Sequence, residues 1–439
     1  MNGRNKLHCL AALAALLLNG CIRPQNYHPD IPSKPLTKST FYYKFDPHDP
    51  NYAGNDSQCE RDECYFQKST AHEVFIEFDA RGSMYRDENS NAVQLDAALA
   101  LTKKLKASAG RVALYVFVHG WKNNASEDSG NVWGFRRFLS DIAFQHCDEP
   151  VIGVYIGWPG ASLKGDKFLS FWNREPVADN VGNNKDLTFA LRSLLQVVKN
   201  PNYTDQESTA VVIGHSFGGI VLERAATTLI EEQLNQREPE APADLFVLIN
   251  EAGAAAIARP FLLELNGKFI YNDPGGHPHP LLLSMTSTGD VATKIAYPGG
   301  EYLSFNRPAT EKYSPPDAFG QNTTLPYNLL TAANMIALQS HQIVPFISDS
   351  SCDLKIPLNK KISYCMNPIP QNRLNQTPYW IMQLPQVFVP DHSSVFQSNL
   401  LKLISAVLEQ STVTDCGIRA RNGESPRLGS GRPRLKRVQ

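Results

Sequence analysis

The sequence predicts an α/β protein in which a mostly parallel sheet is covered by helices on both faces. Three observations predict it. First, short apolar runs rich in β-branched residues alternate with amphipathic stretches of helical period from about residue 72 onward, as strands buried on both faces require. Second, one of those runs, STAVVI, ends in Gly214-His215-Ser216-Phe217-Gly218 and passes directly into the helical pattern GGIVLERAATTLIEEQ. Third, the polar residues with chemistry to offer stand at the carboxyl ends of the apolar runs, where sheets of this kind bind ligands.

Residues 1–20 lie outside the fold. MNGRNK supplies a positively charged start and LAALAALLL an apolar run too short to span a bilayer, so the segment reads as a signal peptide. It ends in Leu18-Asn19-Gly20-Cys21. This resembles a bacterial lipobox and implies lipidation of Cys21, although Asn19 departs from the small or β-branched residue usual there. Cleavage by ordinary signal peptidase and retention as an uncleaved anchor are the alternatives. All three export the chain, and Ile22 in place of aspartate favours the outer membrane.

In an oxidising compartment Cys59–Cys64 and Cys352–Cys365 are the natural short-loop pairs, while Cys147 and Cys416 pair or stay free. Neither short pair reads as a zinc site, because no histidine pair stands beside it at ligand spacing. The chain has 42 Lys and Arg against 43 Asp and Glu, a net charge of −1. No global field therefore points to a nucleic-acid partner.

The polar stretch 21–71 reads as a tether and irregular segment. HEVFIEFDARG is the first strand and AVQLDAALALTKKLKAS the first helix. Next come strand RVALYVFVHG, helix NVWGFRRFLSDIAFQ, strand PVIGVYIGWPG, a polar insertion to about residue 185 and helix DLTFALRSLLQVVKN. The serine strand and its helix are followed by strand DLFVLINEA, helix IARPFLLELNGKF and strand HPLLLSMTSTGD. Residues 297–378 break the alternation and are too long for a connection. They read as a cap over the site or a small subdomain, with one candidate helix, LPYNLLTAANMIALQS, and the Cys352–Cys365 staple. YWIMQLPQVFV returns to the sheet and SVFQSNLLKLISAVLEQ closes the domain near residue 410. The tail 411–439 carries Arg419, Arg421, Arg427, Arg432, Arg434, Lys436 and Arg437. It reads as disordered, or as a basic arm for anionic lipid.

The strand–Gly-x-Ser-x-Gly–helix junction has a steric logic. The apex serine takes a strained backbone, and glycines two places either side let strand and helix close on it. The bland reading is a helix-capping serine. A nucleophilic serine needs a base, and the base needs a carboxylate to hold its tautomer. In chain order after Ser216, Asp290 follows strand LLLSMTS and His392 follows QVFVP. Asp290 competes with Glu251, which ends the next strand, and with a role as a helix cap. His392 competes with His341. His215 is expected to pack beside the serine and His119 to hold its own loop. Two N–H donors for an oxyanion are assigned to Phe217 and to Trp121, which follows His119-Gly120.

VFVHGW, GHSFGG, TGD and DHS, in that order and spacing, resemble an α/β-hydrolase fold serine esterase or lipase of the bacterial lipoprotein type, over roughly residues 72–410. The resemblance implies a triad of Ser216, Asp290 and His392, oxyanion donors at Trp121 and Phe217, no metal and no diffusible cofactor. The fold hosts esterases, lipases, thioesterases, amidases, peptidases, haloperoxidases and dehalogenases, so it does not settle the substrate. A serine nucleophile argues against a dehalogenase. Aromatic candidates for the lining (Trp121, Trp158, Phe168, Phe171 and Trp172) suggest a small-molecule or lipid ester. Two readings compete: an exported lipoprotein that uses the fold as a binding scaffold without turnover, and an amidase or thioesterase with the same triad.

Overall fold

The computed structural model describes residues 26–28, 71–145, 149–160, 171–199, 208–236, 241–265, 269–272, 279–303, 327–347, 351–370, 372–409 and 434–437. The chain runs β1 (Ala71–Glu77), α1 (Val93–Ala109), β2 (Ala113–Val118), α2 (Gly130–Gln145), β3 (Val151–Gly157), α3 (Phe171–Asn183) and α4 (Lys185–Lys199). Then come β4 (Thr209–His215), α5 (Phe217–Leu234), β5 (Leu245–Ile249), α6 (Ala255–Leu265), β6 (Phe269–Asn272), β7 (Leu282–Ser287) and α7 (Tyr297–Leu303). Strands β8 (His341–Pro345), β9 (Leu354–Pro357), β10 (Ser363–Pro368) and β11 (Tyr379–Leu384) precede α8 (Ser398–Glu409) and β12 (Arg434–Arg437).

Seven strands form one sheet in the order β1-β3-β2-β4-β5-β7-β11, with every neighbouring pair parallel. Val116 of β2 lies opposite Val154 of β3 and Val212 of β4. Alternate residues feed two cores. Leu114, Val116 and Val118 pack with α1, α3, α4, α5 and α6, whereas Ala113, Tyr115 and Phe117 pack with α2 and α8. The fold is therefore an α/β sandwich of helices around a parallel sheet, which is why its strands read as unbroken apolar runs. The strand order reverses between β2, which connects outward to β3, and β4, which begins the opposite march. The crevice this opens at the carboxyl ends of β2 and β4 is where such sheets hold ligands.

Several segments differ from the sequence expectation. Helix α3 occupies part of the expected polar insertion. It carries Pro176 inside it and buries Ala178 and Val181, too sparse a stripe to show a period. Its Gly182 lies so close to α5 that a Cβ there would stand 2.8 Å from the Val221 carbonyl. The candidate helix near 325–340 is two separate 3-10 turns, Ala332–Asn334 and Ile336–Leu338, with Met335 extended between them. Asn334 and Gln339 turn their side chains to Thr293 and to the Ala333 carbonyl, and such tertiary partners override helical pairing. The last sheet strand stops at Leu384, because Pro385 cannot continue the ladder; residues 386–388 are turn and 389–390 irregular rather than strand.

Within 297–378, β8, β10 and β9 form an antiparallel three-stranded sheet, whose Ile343, Leu354, Ile356 and Met366 join α8 in the second core. Cys352 and Cys365 are bonded across it, with Cα atoms 5.5 Å apart. This part of the insertion sits on a face of the main sheet beside β11. Residues 304–326 lie outside the described residues, as do Cys21, Cys59, Cys64, Cys147, Cys416 and Phe168. The basic tail, expected to lack structure, contributes β12, paired antiparallel with β6.

Candidate active site

Ser216 joins β4 to α5 with φ 57° and ψ −124°, a left-handed conformation costly for a residue with a Cβ. Its neighbours hold it there. The Ser216 N–H donates to the Ile249 carbonyl of β5 (3.1 Å), and its own carbonyl accepts from Gly219 (2.9 Å) and Ala252 (3.2 Å). A Cβ on Gly218 would lie 2.3 Å from the Val118 carbonyl, and one on Gly120 would lie 2.7 Å from the Ser216 Cβ. The turn's glycines thus admit β2 and its loop as well as the helix. The apex serine does not cap α5, for its side chain makes no capping hydrogen bond.

The loop after β11 brings His392 over this serine. Ser216 Oγ–H donates to His392 Nε2 at 2.9 Å, and His392 Nδ1–H donates to Asp290 Oδ2 at 2.9 Å. Asp290 follows β7 and is fully buried, whereas the His392 side chain is 24% exposed. Burial pushes the Asp290 carboxyl up, but the hydrogen bond and charge of His392, with the N–H and hydroxyl of Thr293, outweigh it and hold the group below its ordinary value. Asp290 also tethers the turn after β7, since Thr293 N–H and Oγ1–H donate to it at 3.1 and 2.8 Å. The capping and pairing roles coexist on two oxygens. Asp391 turns away and accepts from the N–H groups of Ser393 and Ser394.

Two residues fix where His392 sits. His215 Nε2–H donates to the His392 carbonyl at 2.7 Å, and its ring lies 5.1 Å from that of His392. Burial, and next the His392 ring, push His215 down to about 3, so it is a neutral donor. Asn250, at φ 47°, donates through Nδ2 to the Asp391 and His392 carbonyls (3.0 and 3.1 Å) and accepts from Ser287 N–H (2.8 Å). It thereby ties the ends of β5 and β7 to the histidine loop. Sequence reasoning missed Asn250. The available signal was an asparagine at a strand end, the residue type most tolerant of positive φ after glycine.

On the other side of the serine, His119 Nδ1–H donates to the Gly120 carbonyl (2.9 Å) and its Nε2 accepts from Trp158 N–H (3.1 Å). Trp158 Nε1–H returns to the His119 carbonyl (2.7 Å), and the rings stack 5.4 Å apart. Burial pushes His119 down to about 4. It braces the loop. Trp158, expected as a pocket wall, is 2% exposed and is part of that brace. Trp121 is half-buried, 6.1 Å from the Phe217 ring, with the Lys122 ammonium 4.0 Å above it. The backbone of α3 places Phe171 and Trp172 at its first turn.

The rivals lie elsewhere. His341 is buried in β8, stacked 3.8 Å from Trp380 and hydrogen-bonded to Ser340; burial pushes it down to about 3. Glu251 points behind the elbow, against Gly219, and is 2% exposed with Oε1 unpartnered. Burial, then the charge and hydrogen bond of Glu223, push its carboxyl far up. Glu223 in turn accepts from Tyr379 Oη–H at 2.5 Å. Glu251 therefore holds a proton shared with Glu223 and does not meet His392. No cluster of three or more metal-ligating side chains occurs among the described residues.

No protein-family model matches the chain, and no curated protein sequence matches it. Among solved structures, phospholipase PlaB from Legionella pneumophila is similar at 11% identity and a TM-score of 0.29, over 68% of this chain and 64% of that one. The likeness thus spans less than two thirds of the phospholipase.

Proposed function

We propose that this protein is a serine hydrolase that cleaves carboxylic esters through an acyl-enzyme on Ser216. The observation that carries this reading is the hydrogen-bonded series Ser216 Oγ, His392, Asp290, with both links at 2.9 Å, on a serine held at φ 57°. His392 Nε2 takes the hydroxyl proton as Oγ attacks the ester carbonyl, and Asp290 stabilises the imidazolium that results. The Phe217 and Trp121 N–H groups are assigned to the oxyanion. His392 then protonates the departing alkoxide. Water, deprotonated by the same histidine, attacks the acyl carbonyl; the bond to Ser216 Oγ breaks, the histidine returns the proton to that oxygen, and the acid is released. Asp290 is the acid of choice over Glu251, because a protonated carboxyl behind the elbow cannot orient His392. The strained serine and its satisfied partners favour turnover over a silent scaffold. The lipobox-like Cys21 supports an exported, membrane-anchored protein, with the outer membrane as the proposed site.

The test is labelling of the purified mature protein with a fluorophosphonate. Labelling is expected for the wild type and lost in Ser216→Ala and His392→Ala. A folded wild type that stays unlabelled would sink the hydrolase reading and leave the scaffold. Parallel turnover of matched ester, amide and thioester substrates separates the three acyl-transfer classes.

A further inference from the structure

The N-terminal tether is clamped to the molecule at one particular place. Tyr27 and His28 N–H groups both donate to the Glu77 carboxylate at 2.9 Å, and His28 Nδ1 meets the same group at 2.9 Å. Gln94 Nε2–H donates to the His28 carbonyl (2.9 Å), and the His28 ring stacks 3.9 Å from Phe75. Glu77 is the last residue of β1. The clamp therefore lies at the carboxyl edge of the sheet, the edge that carries Ser216, His392 and Asp290. Between Ser216 and the clamp lie three strand spacings, about 14 Å.

Only residues 22–26 separate Cys21 from Tyr27, so a group on Cys21 stands no more than about 22 Å from the clamp. The strands themselves are about 20 Å long. The opposite, amino edge therefore lies at the limit of that reach, and the carboxyl edge well within it. The carboxyl edge also carries apolar side chains that the fold leaves exposed. Seven large hydrophobics are exposed among the described residues, and four of them, Val291 (63%), Ile295 (68%), Ile336 (81%) and Val387 (40%), belong to segments at this edge. Those segments touch one another: Asn334 Nδ2–H donates to Thr293 Oγ1 at 3.2 Å, and Gln383 Nε2–H donates to Asn334 Oδ1 at 3.4 Å. Scattered exposed hydrophobics are ordinary; four of seven gathered on adjoining segments of one edge are what a contact surface presents. Half-buried Trp121 and the cations Lys122 and Lys294 share the edge, a combination suited to the headgroup layer of a membrane carrying anionic lipid.

We propose that this edge is a bilayer-contact surface. Ile295, Ile336, Val291 and Val387 enter the headgroup layer, and the short tether holds the mouth of the Ser216 site against the lipid. No helix of the described residues is long and apolar enough to cross a membrane, so the contact is interfacial. The proposal rests on the assignment of Ser216 as nucleophile only for its consequence, that the substrate is an ester drawn from the membrane surface.

The experiment places benzoylphenylalanine at position 295 or 336, and as controls at Ala107 or Ser108, both exposed at the end of α1. The mature chain is irradiated with vesicles of phosphatidylethanolamine and phosphatidylglycerol. Lipid adducts at 295 and 336 are expected at least about ten-fold above those at 107 and 108. Equal adducts at all four positions, or none at any, would overturn the surface. In a second measurement, Ile295→Glu combined with Ile336→Glu should lower vesicle co-sedimentation of the Cys21→Ser chain about ten-fold, while Ser108→Glu leaves it unchanged. Co-sedimentation indifferent to the pair would also overturn it. Hydrolysis of a water-soluble ester by the same variants is read separately. Its absence would refute the hydrolase reading while leaving the adduct pattern to decide the surface.

Discussion

Asp290 and Glu251 stand at the ends of neighbouring strands, β7 and β5, and in sequence either is a plausible acid. Their surroundings set them apart. Asp290 receives hydrogen bonds from His392 and twice from Thr293 and stays ionised despite full burial. Glu251 faces another carboxyl, Glu223, with only Arg224 as a nearby counter-charge, and keeps its proton. Burial is common to both, so burial does not assign the acid. What decides is whether the donors nearby favour the charged form or a neighbouring charge opposes it.

Exchanging each carboxyl for its amide breaks this comparison most directly. Asp290→Asn removes the acceptor that holds His392 in the tautomer able to take the serine proton, and is expected to lower kcat on a soluble nitrophenyl ester on the order of 10³- to 10⁴-fold. Glu251→Gln is expected to change it less than about three-fold. The reverse ranking would move the acid to β5.

Asn250, one residue before Glu251, sharpens the contrast, for it serves the Asp290 side of the site. Asn250→Ala leaves Ser287 N–H without its acceptor and removes the two hydrogen bonds that Asn250 gives the histidine loop. A cost of about 1–3 kcal/mol is expected in urea unfolding. Turnover should fall about ten-fold or more through misplacement of His392. Unchanged kcat with lost stability would reduce Asn250 to a purely architectural tie.

These outcomes bear on what was legible in the sequence. The parallel sheet and the elbow were legible because they are written in contiguous residues: apolar runs of strand length and a five-residue turn. Asp290 and His392 were singled out by order along the chain and by strand ends, and both side chains join Ser216 in one hydrogen-bonded series. The contacts that complete the site were not legible. Asn250 meets His392 across 142 positions and His28 meets Glu77 across 49, and no local period records such a pairing. Helix α3 was hidden by Pro176 and by a polar surface. Trp158 was misread because a strand-end aromatic looks the same whether it lines a pocket or braces a loop.

On the acid side, His119, His215 and His341 are neutral in the fold, depressed by burial to about 4, 3 and 3. An unfolded histidine titrates near 6.5, so below that pH the unfolded chain binds more protons and stability falls toward pH 4. Asp290, also depressed, acts in the same direction below about pH 4. Their contribution to the melting temperature should decline from pH 7 to pH 4, opposed by the carboxyls that burial raises, Glu73, Asp141 and Glu251. His341→Phe, far from Ser216, should flatten part of that decline and leave turnover intact.

Glu251 should behave in the opposite way, and this gives the smallest but most specific effect. Its carboxyl is raised in the fold, so its favourable contribution is full below the unfolded value near 4.3 and is lost as pH rises above it, because the folded chain then binds the extra proton. In Glu251→Gln the amide N–H replaces that proton as the donor to Glu223 and does not titrate. The variant should match the wild type near pH 4 and melt a few degrees higher at pH 8, with the difference growing between those limits. A wild type and variant whose melting curves stay parallel across that range would mean that Glu251 is ionised in the fold. The two strand-end carboxyls would then no longer be distinguished by charge.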